Sequence, residues 1–125
     1  KTLGNMKKNI ISKFLDQKGV THFFNYIYTP QGKIEISSGR VDEEYFGCTK
    51  ESGKMYEKLV VELAAEGIRP EEMIMVGDKI HTDIDPAKRM GLKTAQYIGY
   101  TDMGPSNADY RIANFSELID LIKGF

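Results

Sequence analysis

The chain has 125 residues, a formal net charge of −1 and a single cysteine, and its length suits one small domain. Its hydrophobic content of 41% and charged content of 28% are typical of a globular protein. Because no basic cluster exists, the sequence argues against a nucleic-acid partner. No apolar run reaches membrane-spanning length. The lone Cys48 has no partner for a disulfide within the chain, which favours a reducing compartment and a cytoplasmic location.

The first part of the chain predicts a helix followed by short strands. Asn5 is a candidate N-cap, and Gly19 would end the helix. Its apolar face would carry Met6, Ile10, Ile11, Phe14 and Leu15. Aromatic and β-branched residues then predict strands around 26–28 and 34–36. We interpret residues 29–49 as a surface excursion, with a hairpin as one form that it could take.

The middle of the chain contains the strongest periodic signals. Residues 54–66 predict an amphipathic helix, whose apolar stripe would be Tyr56, Leu59, Val60, Leu63 and Ala64. Four consecutive apolar residues at 73–76 predict a strand buried on both faces, as in a parallel sheet. A helix follows, with Asp85 as its expected N-cap, Pro86 as its first residue and Gly91 as its left-handed end.

The last part predicts two more strands and a helix. The strands are expected at 92–98 and 110–113, separated by a loop at 99–107. Asn114 would cap the final helix, with Glu117 completing a capping box. The residues expected to face the sheet are Phe115, Leu118, Ile119 and Ile122. The alternation of helices and strands along the chain predicts an α/β fold with parallel neighbouring strands.

An acidic loop follows the central predicted strand. Gly77 allows a tight turn after the strand, Asp78 comes next, and Asp83 lies five positions later. Open α/β sheets bind ligands at the carboxyl ends of their strands. Carboxylates that share one loop repel each other unless a cation lies between them, and ligation by oxygen alone suits magnesium.

The pattern Val76-Gly77-Asp78-x-x-x-x-Asp83, followed by Ala87-Lys88-x-x-Gly91-Leu92-Lys93-Thr94, resembles the fourth motif of the haloacid dehalogenase (HAD) superfamily. Most members of that superfamily are magnesium-dependent phosphatases. The resemblance implies a Rossmann-like three-layer sandwich with a mostly parallel sheet. It also implies that Asp78 ligates Mg²⁺, while Asp83 either ligates it directly or orients a lysine.

The third motif of the superfamily is a lysine near the start of the helix that precedes the acidic loop. Lys54 begins the predicted helix and is therefore the first candidate for the catalytic lysine. Lys50, in the preceding loop, is the alternative. A fixed cation at this place would neutralise the transferring oxygens and the acidic loop. Either lysine could instead be an ordinary solvated surface charge.

The second motif of the superfamily is a serine or threonine at a strand end, followed by a turn into a helix. Thr2, Gly4 and Asn5 match this pattern and are the candidate phosphate-binding residues. In the family, the hydroxyl group and nearby amides bind phosphate at the positive end of the helix. The alternative is a chain terminus with an ordinary helix cap.

Three other features have weaker claims to a function. His81 lies inside the acidic loop, and an exposed loop residue is a simpler interpretation than a catalytic histidine. Cys48 has no histidine or metal ligand nearby in the sequence, so a plain buried thiol is expected. Asp83-Ile84-Asp85 resembles the DxD form of the family's nucleophile motif, but it does not follow an apolar strand, and we reject it.

The family's first motif, which contains the nucleophilic aspartate at the end of a central strand, finds no match in the sequence. We therefore interpret residues 1–125 as the C-terminal portion of one HAD-like core domain that lacks its N-terminal nucleophile strand. No cap domain fits between Thr2 and Lys54. A sheet without its central strand would have an open edge, which could support self-association, and the natural protein is expected to be longer.

The expected function is therefore part of a magnesium-dependent phosphohydrolase that acts on a small phosphate ester through an aspartyl-phosphate. The chain alone is expected to be inactive. The alternative is a non-catalytic fragment or binding module that completes a sheet with a partner. A dehalogenase is a rarer outcome within the family. A phosphoacceptor receiver domain would need an acidic pair near the start of the chain, which residues 1–15 lack.

Overall fold

A computed structural model describes residues 13–19, 21–29 and 31–124. The chain divides into two compact units, one that ends at Thr49 and one that begins at Lys50. The assignment of residues 1–125 to one core domain stays a prediction. The candidate phosphate-binding residues Thr2, Gly4 and Asn5 lie outside the described residues.

The first unit contains a small antiparallel sheet. Residues 13–17 are helical, and Gly19, with φ of +67°, ends this helix as expected. The strands are β1 (Tyr26–Thr29), β2 (Gly32–Glu35) and β3 (Val41–Asp42), in the order β1-β2-β3. A Cβ on Gly32 would lie 2.8 Å from the carbonyl oxygen of Asp42, so the close approach of these strands requires a glycine. β1 and β2 form an antiparallel hairpin, and the surface excursion expected at 29–49 stays a prediction.

The second unit has the alternating order expected from the sequence. Its helices and strands are α1 (Lys54–Ala65), β4 (Ile74–Gly77), α2 (Asp85–Arg89), β5 (Lys93–Tyr97), β6 (Tyr110–Ile112) and α3 (Glu117–Lys123). The three strands form a sheet in the order β4-β5-β6, and both pairings are parallel. The α/β class with a parallel sheet is therefore confirmed. The complete three-layer sandwich and the missing nucleophile strand stay predictions.

Two local expectations around β4 differ from the structure. Every residue of β4 is half-buried rather than buried on both faces, because β4 lies at the edge of the three strands that the structure describes. Asp85 is the first residue of α2, and Ile84 is the N-cap. A π-helical turn, Ile80–Ile84, leads directly into α2 and displaces the cap. Gly91 has φ of +89° and is the left-handed residue that the sequence predicts.

The core of the second unit is formed by α1, α2 and the residues at the starts of β4 and β5. Its buried members are Tyr56, Met73, Ala87 and Leu92, with Val60, Leu63 and Met75 packed against them. Burying an apolar side chain of this size contributes about 1.5–3 kcal/mol. The amphipathic face that the sequence predicts for α1 therefore packs into the core through Tyr56, Val60 and Leu63, although Ala64 is exposed.

The expectation that Phe115, Leu118, Ile119 and Ile122 face the sheet is wrong for Ile119 and Ile122, which are 57% and 58% exposed. Phe115 precedes α3 and is also 57% exposed, but it contacts the sheet. The Phe115 ring stacks on Tyr97, with 4.5 Å between the ring centroids. Helical periodicity shows which residues share a face, but not whether another element covers that face. The Glu117 carboxylate accepts a hydrogen bond from the amide of Asn114 at 3.0 Å, but the N-cap of α3 is Ser116, so the expected cap at Asn114 is wrong.

Residues 98–109 form a crossover loop, which parallel neighbouring strands such as β5 and β6 require. Thr94 and Gln96 are fully buried polar residues of β5, and both bind this loop. The Thr94 hydroxyl and amide donate to the Asp109 carboxylate at 3.1 and 2.9 Å. The Gln96 side chain donates to the carbonyl of Gly104 at 2.9 Å and accepts from the Ser106 hydroxyl at 2.8 Å.

Asp109 joins three elements. Its carboxylate also accepts a hydrogen bond from Lys88 of α2 at 3.0 Å. Desolvation opposes ionisation, but the bonds from Lys88 and then from Thr94 hold the pKa of the Asp109 carboxyl below its ordinary value. A lowered pKa in the folded state stabilises the fold above the unfolded-state pKa, and this contribution is lost as pH falls through the folded-state pKa.

We expect Asp109→Asn to destabilise the fold by about 1 kcal/mol at neutral pH, because it removes a charge from a partly exposed ion pair and weakens its hydrogen bonds. The difference from the unsubstituted protein should shrink below about pH 4. Urea denaturation measured at several pH values tests this, with Asp120→Asn on α3 as the control. An equal destabilisation at pH 7 and pH 3 would contradict the linkage.

Among the residues that the structure describes, no helix has the length and apolar character needed to cross a membrane.

Candidate active site

Asp83 is the central residue of the candidate site. It is 3% exposed and lies in the π-helical turn that follows β4. One carboxylate oxygen accepts a hydrogen bond from the Lys50 ammonium at 2.6 Å, and the other accepts one from the amide of Lys79 at 3.1 Å. A buried carboxylate is costly unless charged or hydrogen-bonding partners compensate it. Asp83 has both kinds of partner, so the site is preorganised around its carboxylate.

Gly77 makes the position of Asp83 possible. A Cβ at Gly77 would lie 2.3 Å from a carboxylate oxygen of Asp83 and 2.6 Å from its Cβ, distances that real side chains do not tolerate. The absence of a side chain at the last residue of β4 therefore lets Asp83 pack directly against the sheet backbone. This steric reason for Gly77 is separate from the tight turn that the sequence suggests.

The structure places the two candidate lysines in different environments. Lys50 reaches Asp83 across 33 positions of sequence, and its side chain is 40% exposed. Lys54 is the first residue of α1 and is exposed, and no ion pair joins it to another described residue. The geometry therefore favours the alternative, Lys50, as the lysine of the site. Its catalytic role stays a prediction.

Asp78 is half-buried and directly follows β4, at the carboxyl edge of the sheet. The described residues contain no cluster of three or more histidine, cysteine, aspartate or glutamate side chains able to hold a metal. Mg²⁺ in proteins often uses only one or two carboxylates and keeps several waters, so Asp78 fits the role of a ligand. Because both oxygens of Asp83 bind other groups, the geometry favours the second implied role for Asp83, the orientation of a lysine.

Tyr56 supports the turn that contains Asp83, a role that the sequence analysis missed. It is 1% exposed, and its hydroxyl donates to the carbonyl oxygen of Thr82 at 2.9 Å. Burial, and after it the charges of Asp83 and Glu51, raise the pKa of the Tyr56 hydroxyl well above its ordinary value. The hydroxyl therefore remains a neutral donor. The sequence shows Tyr56 only as one apolar position of α1, with no sign of this bond.

His81 and Cys48 are the remaining candidates. The His81 side chain is 94% exposed and lies 3.5 Å from the Asp85 carboxylate, which agrees with an exposed residue. In the part of the second unit that the structure describes, no hydrogen bond joins His81 to Lys50 or Asp83. Cys48 belongs to the first unit. It is half-buried rather than buried as expected, and its sulfur lies 3.9 Å from the carbonyl oxygen of Glu44.

Comparison with known proteins gives this network a family context. Residues 47–99 match the family model described as HAD-hydrolase-like. This HAD-like segment contains Lys50, Gly77, Asp78 and Asp83, so every described candidate residue lies within it. The resemblance that the acidic loop predicts is thereby confirmed.

Three curated relatives carry the name glyceraldehyde 3-phosphate phosphatase. The protein from Methanocaldococcus jannaschii is 38% identical over 46% of this chain. The protein from Pyrococcus furiosus is 33% identical over 64% of it, and the protein from Methanopyrus kandleri is 30% identical over 84%. These alignments cover 26%, 34% and 41% of the relatives, so the chain spans well under half of their length.

Proposed function

We propose that this chain is part of a HAD-like phosphohydrolase that acts on a small phosphate ester. The observation that carries the proposal is the 2.6 Å contact between the Lys50 ammonium and the buried Asp83 carboxylate, within the segment that matches the family. The pair lies beyond the carboxyl end of β4, where open parallel sheets bind ligands.

Lys50 and Asp83 would act as a unit. The carboxylate fixes the ammonium in one place, and 40% of the Lys50 side chain is accessible to solvent, so a phosphate oxygen can approach it. A positive charge fixed before the reaction stabilises the charge that develops on the transferring group without reorganisation. Asp83 is thus a positioning residue, and Lys50 is the group that would contact the substrate.

The finer mechanism follows from the family resemblance and belongs to the proposal. Asp78 would hold Mg²⁺, which in such enzymes neutralises phosphate charge. Thr2, Gly4 and Asn5 would hold the phosphate through a hydroxyl group and amides. The covalent step would form an aspartyl-phosphate on an aspartate outside this chain, and hydrolysis would release inorganic phosphate. No described residue is given the role of nucleophile.

The substrate class is suggested by the relatives. All three are named for the hydrolysis of glyceraldehyde 3-phosphate, a three-carbon phosphate ester. We propose a small phosphorylated substrate of this kind. A nucleic-acid partner and a membrane-bound form are not part of the proposal, and a cytoplasmic location stays a prediction.

One observation favours a second candidate function. β4 is an edge strand of the sheet that the structure describes, and an edge strand can pair with the strand of a partner. A non-catalytic module that completes a sheet with a partner, or with a second copy of itself, would use this edge. The ion pair between Lys50 and the buried Asp83 carboxylate has no role in such a module, which is why we place the enzyme first.

The test is phosphate release by the full-length protein that carries this chain, assayed on glyceraldehyde 3-phosphate with Mg²⁺. We expect turnover that is lost in Asp78→Asn, because the amide removes the ligand charge, and no turnover by residues 1–125 alone. Removing Mg²⁺ with a chelator should have the same effect as Asp78→Asn. A full-length protein that is folded but inert with Mg²⁺ would favour the binding module.

A further inference from the structure

The crossover loop lies on the same face of the sheet as the Lys50–Asp83 pair. Gly77 and Gln96 are paired in register between β4 and β5, so their side-chain positions project from the same face. The vacant side-chain position of Gly77 faces Asp83. The Gln96 side chain binds Gly104 and Ser106 of the crossover loop. The loop and the candidate site are therefore neighbours on one face.

The first part of the crossover loop, directly after β5, also lies at the carboxyl edge of the sheet. Gly77 pairs with Gln96, so Asp78 and the residues after Tyr97 leave the sheet at the same end. From there the loop runs back across the face, held first by Gln96 and then by Thr94 near the start of β5. The stretch 99–103 therefore lies at the ligand-binding edge.

This stretch is fixed rather than loosely exposed. The Asp102 carboxylate accepts a hydrogen bond from the amide of Gly104 at 2.9 Å and pairs with the Arg111 guanidinium. A Cβ on Gly99 would lie 2.2 Å from the carbonyl oxygen of Ala113, so the chain passes closely against the residue that follows β6. A loop held at both ends can present a side chain at low entropic cost.

The side chain that this fixed stretch presents is Tyr100. It is 88% exposed, and Met103 is 53% exposed. A tyrosine offers a large apolar ring with a polar tip and only two rotatable bonds, which suits contact with a small polar ligand. The apolar surface of the Tyr100 ring is exposed to solvent, so it would become buried only when a ligand binds at this edge of the sheet.

We propose that Tyr100 is a specificity-determining residue that contacts the organic part of the phosphate ester, and that Gln96 positions it by holding the crossover loop. This inference rests on the proposed phosphohydrolase function. Lys50 binds the phosphate group, which all substrates share, whereas Tyr100 contacts the part that distinguishes one ester from another. Tyr100 therefore affects selectivity among esters and leaves the binding of inorganic phosphate unchanged.

The test compares Tyr100→Ala, Tyr100→Phe and the control Val61→Ala in the full-length protein. Val61 lies on α1 and is 72% exposed, so it matches Tyr100 in accessibility. For each protein, kcat and KM are measured on glyceraldehyde 3-phosphate and on 4-nitrophenyl phosphate, and inorganic phosphate is tested as a competitive inhibitor. Tyr100→Phe separates the contribution of the hydroxyl from that of the ring.

We expect Tyr100→Ala to change the ratio of the two kcat/KM values by about tenfold, mainly through KM, because it removes one contact to the organic group. Inhibition by inorganic phosphate should stay within about twofold of that of the unsubstituted protein, and Val61→Ala should change neither quantity. An unchanged ratio in Tyr100→Ala, with an active unsubstituted protein, overturns the role of Tyr100 alone. An unsubstituted protein that is inert on both esters overturns the proposed function and this inference with it.

Discussion

Replacing Lys50 with alanine is expected to lower kcat of the full-length protein by about 10²–10³-fold, the usual cost of removing one preorganised group that stabilises transition-state charge. Lys54→Ala should leave kcat within about twofold, because Lys54 is exposed and no ion pair joins it to another described residue. The two substitutions remove the same chemical group four positions apart. Their difference therefore isolates the contact with Asp83 at 2.6 Å.

A conservative variant sharpens this test. Lys50→Arg keeps the charge but changes its shape and the position of its donors, so partial activity is expected. Circular dichroism and urea denaturation show whether each variant is folded. Because Lys50 is 40% exposed, its pair with Asp83 should contribute only about 1 kcal/mol to stability. Equal loss of activity in Lys50→Ala and Lys54→Ala would contradict the assignment of Lys50.

The fold of the second unit could be predicted because its signals are local. The four apolar residues before Asp78 predict β4, and the left-handed glycine at position 91 predicts the end of α2. Each of these rules depends on a few neighbouring residues. The exposed apolar face of α3 is an example that local rules do not predict. The helical periodicity of residues 115–122 identifies an apolar face, but it is the same whether or not another element covers that face.

The lysine of the site could not be chosen by the same local rules. The start of α1 at Lys54 is visible in the sequence, and a family motif near a helix start points to that residue. The contact with Asp83, however, depends on how the chain folds across 33 positions. Lys50 lies in a loop just before α1, and only the tertiary structure brings its long side chain to the acidic turn.

The sequence alone also does not predict how the Asp83 side chain packs. The motif suggests two acidic residues and a turn, but not that one carboxylate lies against the backbone of β4. That arrangement needs the π-helical turn Ile80–Ile84, a rare element that often occurs at functional sites. No residue pattern in this turn distinguishes it from an ordinary helix start.

Replacing Gly77 with alanine should destabilise the protein by about 3 kcal/mol, because it combines overpacking with the loss of hydrogen bonds to a buried carboxylate. The new Cβ would lie 2.3 Å from a carboxylate oxygen of Asp83, so Asp83 must move. Movement of Asp83 breaks its contact with Lys50, and activity should fall as far as in Lys50→Ala. Urea denaturation and kcat provide the two measurements.

Gly124→Ala is the matched control, because its nearest non-neighbouring atom would be 3.8 Å away, an ordinary contact. This substitution should change stability by a few tenths of a kcal/mol at most. A double-mutant cycle then tests the cause. If the clash with Asp83 is responsible, Gly77→Ala should cost almost nothing in an Asp83→Gly background, since the side chain that it meets is gone. A cost that persists in that background would show that Gly77 is required by the backbone of β4 itself, and not by the packing of Asp83 against it.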